Sequence, residues 1–149
     1  MSRSPEPDLA ALQADSRVLW NEDVLRFCDT DANGHVNNAA FAMFCESGRV
    51  NALTSVLGPT LGPDTFFAIA RLVIEYRAEL HYPGRVRCGT WISRVGSSSV
   101  SFSQVLLGPD GRLAATSDAV TVLMDGESRR PKPLPAATRT DVEALLRPE

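Results

Sequence analysis

The sequence lacks any apolar run approaching the roughly 20 residues of a transmembrane helix, so we expect no membrane span. Its first residues are polar and do not form the apolar stretch of a secretory signal peptide. The cysteines are few, odd in number and without paired spacing, which favours reduced thiols in a cytoplasm: Cys28, Cys45 and Cys88. Lysine occurs once, as Lys132, and the net charge of −3 argues against nucleic acid as the main partner.

The composition suits one soluble domain. The chain has 149 residues, of which 44% are hydrophobic and 22% charged. We expect residues 1–16 to form a flexible, polar N-terminal arm with one helical turn at 9–14. Residues 17–149 should form a single domain, since the sequence shows neither a repeat nor a second domain.

Hydrophobic periodicity predicts an α+β fold with one long helix. The helix should run from Asn37 or Asn38 to Leu57 and stop at Gly58-Pro59. It is apolar on both sides, which is typical of a central, buried helix. Period-two patterns and turn residues predict about five antiparallel strands, near residues 18–27, 66–82, 86–95, 100–107 and 113–124. After them we expect an extended, proline-rich segment and a short helix at 140–147.

Residues 26–49, RFCDTDANGHVNNAAFAMFCESGR, combine acidic groups, amides and a histidine where the first strand hands over to the helix. Asp29, Asp31 and Asn33 match the first half of a calcium-binding loop, but its last ligand position holds Ala40, so we predict no metal site. The same residues are common in turns and helix caps, which would explain Asn37 or Asn38, and Gly34 as a position with positive φ. A cap alone explains Asp31 less well.

The string DANGHVNN at residues 31–38 resembles the hot-dog acyl thioesterases. It is similar to the 4-hydroxybenzoyl-CoA thioesterase type, in which an Asp in a D-x-x-G turn precedes the central helix. It also resembles the plant-type fatty acyl-ACP thioesterases, which carry D-x-N-x-H-V-N-N. The resemblance implies a curved antiparallel sheet wrapped around one long helix, and a homodimer or homotetramer, because a second subunit normally completes such a sheet. It implies no cofactor beyond the coenzyme A of the substrate.

The resemblance also assigns roles at the candidate site. Asp31 falls on the catalytic aspartate, as general base or nucleophile, and Asn33 and His35 fall on the residues that accompany it. Asn38 falls where a backbone N–H holds the thioester oxygen, and Glu46 on an acidic helix position. The chemistry agrees, because thioester hydrolysis needs an activated nucleophile and donors where negative charge grows, and a helix N-terminus offers free N–H groups.

Two of these residues have ordinary alternatives. His35, next to a helix cap, could be an ordinary surface histidine. Glu46 lies on a predicted apolar stripe with Ala39, Ala42 and Val50, and could simply pair with Arg49. Cys45 with His35 as its base is a further candidate nucleophile, although a free cysteine is more often a small core residue. His81 is expected to be structural.

The coenzyme A phosphates are expected to contact arginines, which suit phosphate: Arg85, Arg94, Arg129 and Arg130. Each could equally be a solvated surface residue. Two rival functions stay open. One is a hot-dog hydratase or dehydratase, whose D-x-N-P-x-H pattern this sequence matches poorly, and the other is a non-catalytic acyl-CoA binding module.

Overall fold

A computed structural model of the protein describes residues 4–57 and 61–148. Its helices and strands are, in chain order, α1 (Leu9–Ala14), β1 (Leu19–Leu25), α2 (Asn38–Leu57), β2 (Thr65–Tyr76), β3 (Gly84–Val95), β4 (Ser99–Leu107), β5 (Leu113–Asp125) and α3 (Ala136–Ala144), with a 3-10 turn at Phe27–Asp29. The strands form one antiparallel sheet in the order β1-β3-β4-β5-β2. The predicted α+β architecture is confirmed, while the predicted stop at Gly58-Pro59 lies outside the described residues.

The long helix α2 lies over β1, β3 and β4, where it is pressed closely onto the sheet at Gly48. A Cβ at this position would lie 2.6 Å from Thr90 Oγ1 and 2.8 Å from Cys88 Sγ, so a larger residue would push the helix away. The buried face of α2 carries Ala40, Phe41, Phe44, Cys45, Gly48, Arg49, Ala52 and Leu57. The contact at Gly48 therefore sets how closely the middle of α2 approaches the sheet.

The predicted helical turn at residues 9–14 is confirmed as α1, and it packs against the sheet face opposite α2. Its Leu12 is buried with Trp91, Val105 and Leu107. Asp15, directly after α1, binds Arg17 and accepts a hydrogen bond from Arg147 Nε at 3.0 Å. Hydrogen bonds from Arg17 hold the pKa of Asp15 well below its usual range. The polar composition of the arm did not indicate these contacts.

The strand β2 forms one edge of the sheet and ends at Tyr76 rather than at residue 82 as predicted. Residues 77–83 leave the sheet and pass beside the start of α2, where the Leu80 carbonyl accepts a hydrogen bond from the Val36 N–H at 2.8 Å. Four apolar side chains of β2 are exposed: Ile69, Leu72, Val73 and Tyr76. The free edge and these side chains are where a further strand could pair.

The C-terminal helix α3 begins directly after Pro135, earlier than predicted, because proline is tolerated at a helix start. Its Val142 packs with Ile92 and Phe102 in a core cluster beneath the C-terminal half of α2. Within the two described stretches of chain, no helix is both long and apolar enough to cross a membrane.

Candidate active site

A tight hairpin loop precedes α2 and places Asp31 opposite His35. The Asp31 N–H donates to the His35 carbonyl (N···O 3.0 Å), and the Gly34 N–H donates to the Asp31 carbonyl (N···O 3.0 Å). Gly34 has φ of 83°, a conformation that glycine adopts without the steric cost borne by other residues. The predicted positive φ at Gly34 is confirmed, and the loop holds Asp31 and His35 as neighbours.

The loop is anchored by Asp29, whose side chain is buried. Its Oδ2 accepts the Arg26 N–H at 2.8 Å, and its carbonyl accepts the Asn37 N–H at 2.8 Å. The hydrogen bonds to Asp29 raise the pKa of the Arg26 guanidinium. Because Arg26 occupies this carboxylate, Asp29 acts as a structural anchor. Across residues 4–57 and 61–148, no group of three or more His, Cys, Asp or Glu side chains is placed to hold a metal ion.

The backbone N–H groups at the start of α2 differ in their hydrogen bonding. The Asn37 side chain caps the helix, since its Oδ1 accepts the Ala39 N–H at 2.8 Å, and the Asn37 carbonyl accepts the Ala40 N–H at 2.9 Å. The Asn38 N–H forms no hydrogen bond with any residue that the structure describes. The positive end of the helix dipole increases the positive potential at this N–H, which makes the N–H a suitable donor to a developing oxyanion.

The Asp31 side chain is half-buried within the loop. Its Oδ1 accepts the backbone N–H of Asn33 at 2.8 Å. Asn33 therefore positions the Asp31 carboxylate through its backbone N–H, while Asn33 itself is exposed to solvent. Within the described part of the chain, this is the only hydrogen bond to the Asp31 carboxylate, so its other oxygen remains available to water or to a substrate.

An open cavity of about 320 Å³ lies beside the loop. It is lined by His35, Val36, Asn38, Phe41, Tyr76, Arg77, Ala78 and Glu79. Phe41 and Tyr76 form its aromatic wall, with ring centroids 5.1 Å apart and an interplanar angle of 74°. The Tyr76 hydroxyl donates to the Asn38 carbonyl at 3.2 Å, which ties this wall to the helix start. The structure thus brings His35 and Asn38 to one cavity. Asp31 does not line this cavity, but it pairs with His35, which does.

Glu79 was missed by the sequence analysis. Its carboxylate lies between two imidazoles, 3.6 Å from His35 Nε2 and 3.4 Å from His81 Nε2. The two imidazole rings meet edge to face, with centroids 5.9 Å apart. The spacing Glu-x-His at residues 79–81 could have indicated that Glu79 and His81 lie on one side of an extended segment. Only the fold shows that this side faces His35.

Glu46 does not have the structural partner that the sequence suggested. Glu46 is exposed and is not on the buried face of α2. It forms no ion pair with Arg49, whose Nη1 instead donates to Gln104 Oε1 at 3.0 Å, so the suggested structural pair is wrong. Burial lowers the pKa of the Arg49 guanidinium.

Cys45 is buried, and its interaction with Cys88, together with burial, raises the pKa of the Cys88 thiol. Cys45 lies seven residues, or about 10 Å of helix, beyond Asn38. His35, the base suggested for it, lies at the loop beside Glu79. The structure therefore does not bring a Cys45–His35 pair together, and Cys45 is a core residue.

The four arginines suggested for coenzyme A do not form one cluster in a single chain. Arg85 and Arg94 lie near opposite ends of β3, about 30 Å apart along the strand. Arg129 lies beyond the end of β5, with its guanidinium 4.4 Å from the Phe66 ring centroid at the start of β2. Arg130 follows it and is exposed. The cavity lies near Tyr76, about 33 Å along β2 from Phe66 and therefore far from Arg129 of the same chain. Of the four arginines, Arg85 lies nearest to the loop in the sheet, because it pairs with Val24 close to the end of β1.

Comparison with known proteins identifies the family. A model of the thioesterase-like superfamily matches residues 25–142, which is most of the chain. The protein therefore belongs to the thioesterase-like superfamily. No curated protein matches the sequence.

Solved structures show the same fold at low identity. A predicted thioesterase from Bacillus stearothermophilus is 22% identical with a TM-score of 0.80, covering 89% of this chain and 98% of that chain. DHNA-CoA thioesterase from Staphylococcus aureus is 18% identical with a TM-score of 0.77, covering 86% and 92%. The hypothetical protein SAV2348 from Staphylococcus aureus, in complex with CoA, is 15% identical with a TM-score of 0.78, covering 86% and 83%. The hot-dog fold predicted from the sequence is thus confirmed.

Proposed function

We propose that the protein is a thioesterase that hydrolyses an acyl-CoA or acyl-ACP thioester to a free acid and a thiol. The observation that carries the proposal is the Asn38 N–H at the start of α2, which has no hydrogen-bond partner among the described residues and lies on an aromatic-walled cavity beside the Asp31–His35 loop. Membership of the thioesterase-like superfamily supports it, as do the fold relatives that act on or bind CoA compounds. The reaction needs no metal or further cofactor, and the thiols suit a cytoplasmic enzyme.

In this mechanism Asp31 acts as general base or nucleophile. As a base, its carboxylate takes a proton from water while the water oxygen attacks the thioester carbon. The Asn38 N–H and the positive end of α2 stabilise the charge that develops on the carbonyl oxygen. The C–S bond then breaks and the carbonyl forms again. The thiolate leaves and takes up the proton that Asp31 accepted from water. His35, next to Asp31 on the loop, orients the water or the carboxylate.

We further propose that the active form is a homodimer built through β2, or a homotetramer of two such dimers. The free edge of β2 and its exposed apolar side chains support this assembly. Antiparallel pairing of two β2 strands would place the Phe66 end of one copy beside the Tyr76 end of the other. Since Arg129 lies over Phe66, this pairing would bring a cation to the cavity of the neighbouring copy, where phosphates could bind.

A panel of acyl thioesters tests the activity. With a thiol-trapping dye, we expect release of free thiol from at least one acyl-CoA, with saturation kinetics. Crotonyl-CoA separates the rivals, because a hydratase would remove its conjugated absorbance without releasing thiol. A binding module would bind acyl-CoA saturably and change neither signal. Either of these two patterns would contradict the thioesterase.

The contact between Glu79 and His35 leads to a prediction for Glu79→Gln. The amide keeps the size of the side chain but loses the charge that holds His35 Nε2, so we expect kcat to fall by about 10-fold or more. KM and the thermal unfolding midpoint should stay unchanged, because Glu79 is exposed and anchors no buried group. Glu143→Gln, in an exposed ion pair on α3, is the control and should behave as wild type. An unaltered kcat in Glu79→Gln would remove Glu79 from the site.

A further inference from the structure

An aromatic pair on the surface has no role in the fold or in the proposed chemistry. Phe27 is 76% exposed and Tyr82 is 48% exposed. Their rings meet edge to face, with centroids 5.9 Å apart and an interplanar angle of 81°. Val24, which lies on β1 three residues before Phe27, is also exposed, at 52%. A pair of exposed aromatic rings in contact is typical of a binding site, because its exposure to water is unfavourable.

The pair lies next to the candidate active site without lining its cavity. The Phe27 carbonyl accepts the N–H of Thr30 at 3.1 Å, and Thr30 directly precedes Asp31. Tyr82 directly follows His81, which contacts Glu79 at the cavity. A substrate whose reacting end lies in the cavity can therefore extend its remote end onto Phe27 and Tyr82.

Two arginines lie near this aromatic pair in the chain, Arg26 directly before Phe27 and Arg85 three residues after Tyr82. Arg85 pairs in register with Val24 across β1 and β3. Its side chain is 65% exposed, and its ion pair with Glu22 (2.7 Å) is on the surface, where such a pair adds little stability and can open to a stronger anion. Arg26, directly before Phe27, also has a largely exposed side chain. Guanidinium groups bind phosphate through two parallel hydrogen bonds.

We propose that Phe27 and Tyr82 form a stacking platform for the adenine ring of coenzyme A, with Arg85 binding the phosphates of the nucleotide. The inference rests on the proposed function and specifies its substrate as an acyl-CoA rather than an acyl carrier protein, whose phosphopantetheine carries no adenine. Aromatic side chains stack on bases, and the stacked base covers the apolar surface that is otherwise exposed. Two rings and one valine are too small a surface for a stable protein interface, so a small ligand fits better than a second copy.

Truncated substrates test the platform. The variants Phe27→Ala and Tyr82→Ala are assayed with the best acyl-CoA of the panel and with the same acyl group on pantetheine, which lacks the nucleotide. We expect KM for the acyl-CoA to rise about 10-fold with kcat unchanged, and both constants for the acyl-pantetheine to stay unchanged. Arg85→Gln should raise KM for the acyl-CoA only. Phe27→Trp, which keeps an aromatic face, should restore the wild-type KM.

Other outcomes would overturn the platform. These are unchanged kinetics with acyl-CoA, an equal change with both substrates, a shift in oligomer size on gel filtration, or a KM increase seen with acyl carrier protein as well. Calorimetry with adenosine 3′,5′-bisphosphate separates this inference from the proposed activity. If the wild type releases no thiol but binds this nucleotide, and Phe27→Ala binds it at least 10-fold more weakly, the platform stands and the hydrolase fails. If both proteins bind it equally or not at all, the platform is wrong.

Discussion

Replacing Asp31 with Asn is expected to lower kcat for thioester hydrolysis by about 10³-fold, as measured by release of free thiol. An amide can neither take a proton from water nor attack the thioester carbon. The fold should be unaffected, because the Asn oxygen can still accept the Asn33 N–H that Asp31 Oδ1 accepts at 2.8 Å. Circular dichroism and the thermal midpoint should therefore match those of the wild type.

The hairpin between β4 and β5 offers a matched control. There Asp110 Oδ1 accepts the N–H of Arg112, also two residues ahead, at 3.0 Å. Asp110→Asn makes the same chemical change in the same kind of turn, and we expect it to keep full activity. If Asp31→Asn retains activity while Glu46→Gln loses it, the carboxylate that acts on the thioester is on α2, and the proposed mechanism is wrong.

The double variant Ile69→Lys with Val73→Lys is expected to convert the protein to monomers and to abolish most of its activity. Both side chains are exposed on the edge strand β2, where two charges should oppose pairing with a second copy. Loss of activity follows if the neighbouring copy completes the cavity at Tyr76. Light scattering gives the oligomer size, and the thiol assay gives the activity. Far-UV circular dichroism should stay that of the folded protein, because neither side chain is buried.

Val24→Lys is the control for this variant. Val24 has the same exposed fraction as Ile69, 52%, but lies on β1 at the opposite edge of the sheet. Its substitution should leave the oligomer size unchanged. If the Ile69 and Val73 variant remains a dimer, the assembly uses another surface, and the role proposed for Arg129 at the neighbouring cavity is lost with it.

Much of the candidate site was predictable because it is built from contacts between near neighbours in the chain. The loop closes through hydrogen bonds between Asp31, Gly34 and His35, and it requires the positive φ that glycine adopts readily. The Asn37 cap bonds to Ala39, only two residues ahead. Such contacts depend on residue type and spacing, so a string of eight residues was enough to indicate them.

Other parts depended on contacts that no local pattern reveals. Periodicity predicted a long helix that is apolar on both sides, but it could not tell which side faces the sheet. The rotation of α2 is set by the close approach of Gly48 to Thr90 and Cys88. Glu79 meets His35 only because residues 77–83 leave the sheet and pass beside the start of α2. The suggested arginines proved to lie at different ends of the sheet.

The sequence by itself determined the α+β elements, the loop before α2 and its resemblance to thioesterases, since each depends on residue types at short spacing. The tertiary structure alone decided that the Asn38 N–H lies beside an aromatic-walled cavity without a hydrogen-bond partner in the described chain, that Glu79 lies between two histidines, and that β2 is an edge strand. The physical reason is that these features arise from strand order and from packing between residues far apart in the chain, where many arrangements satisfy the same local pattern.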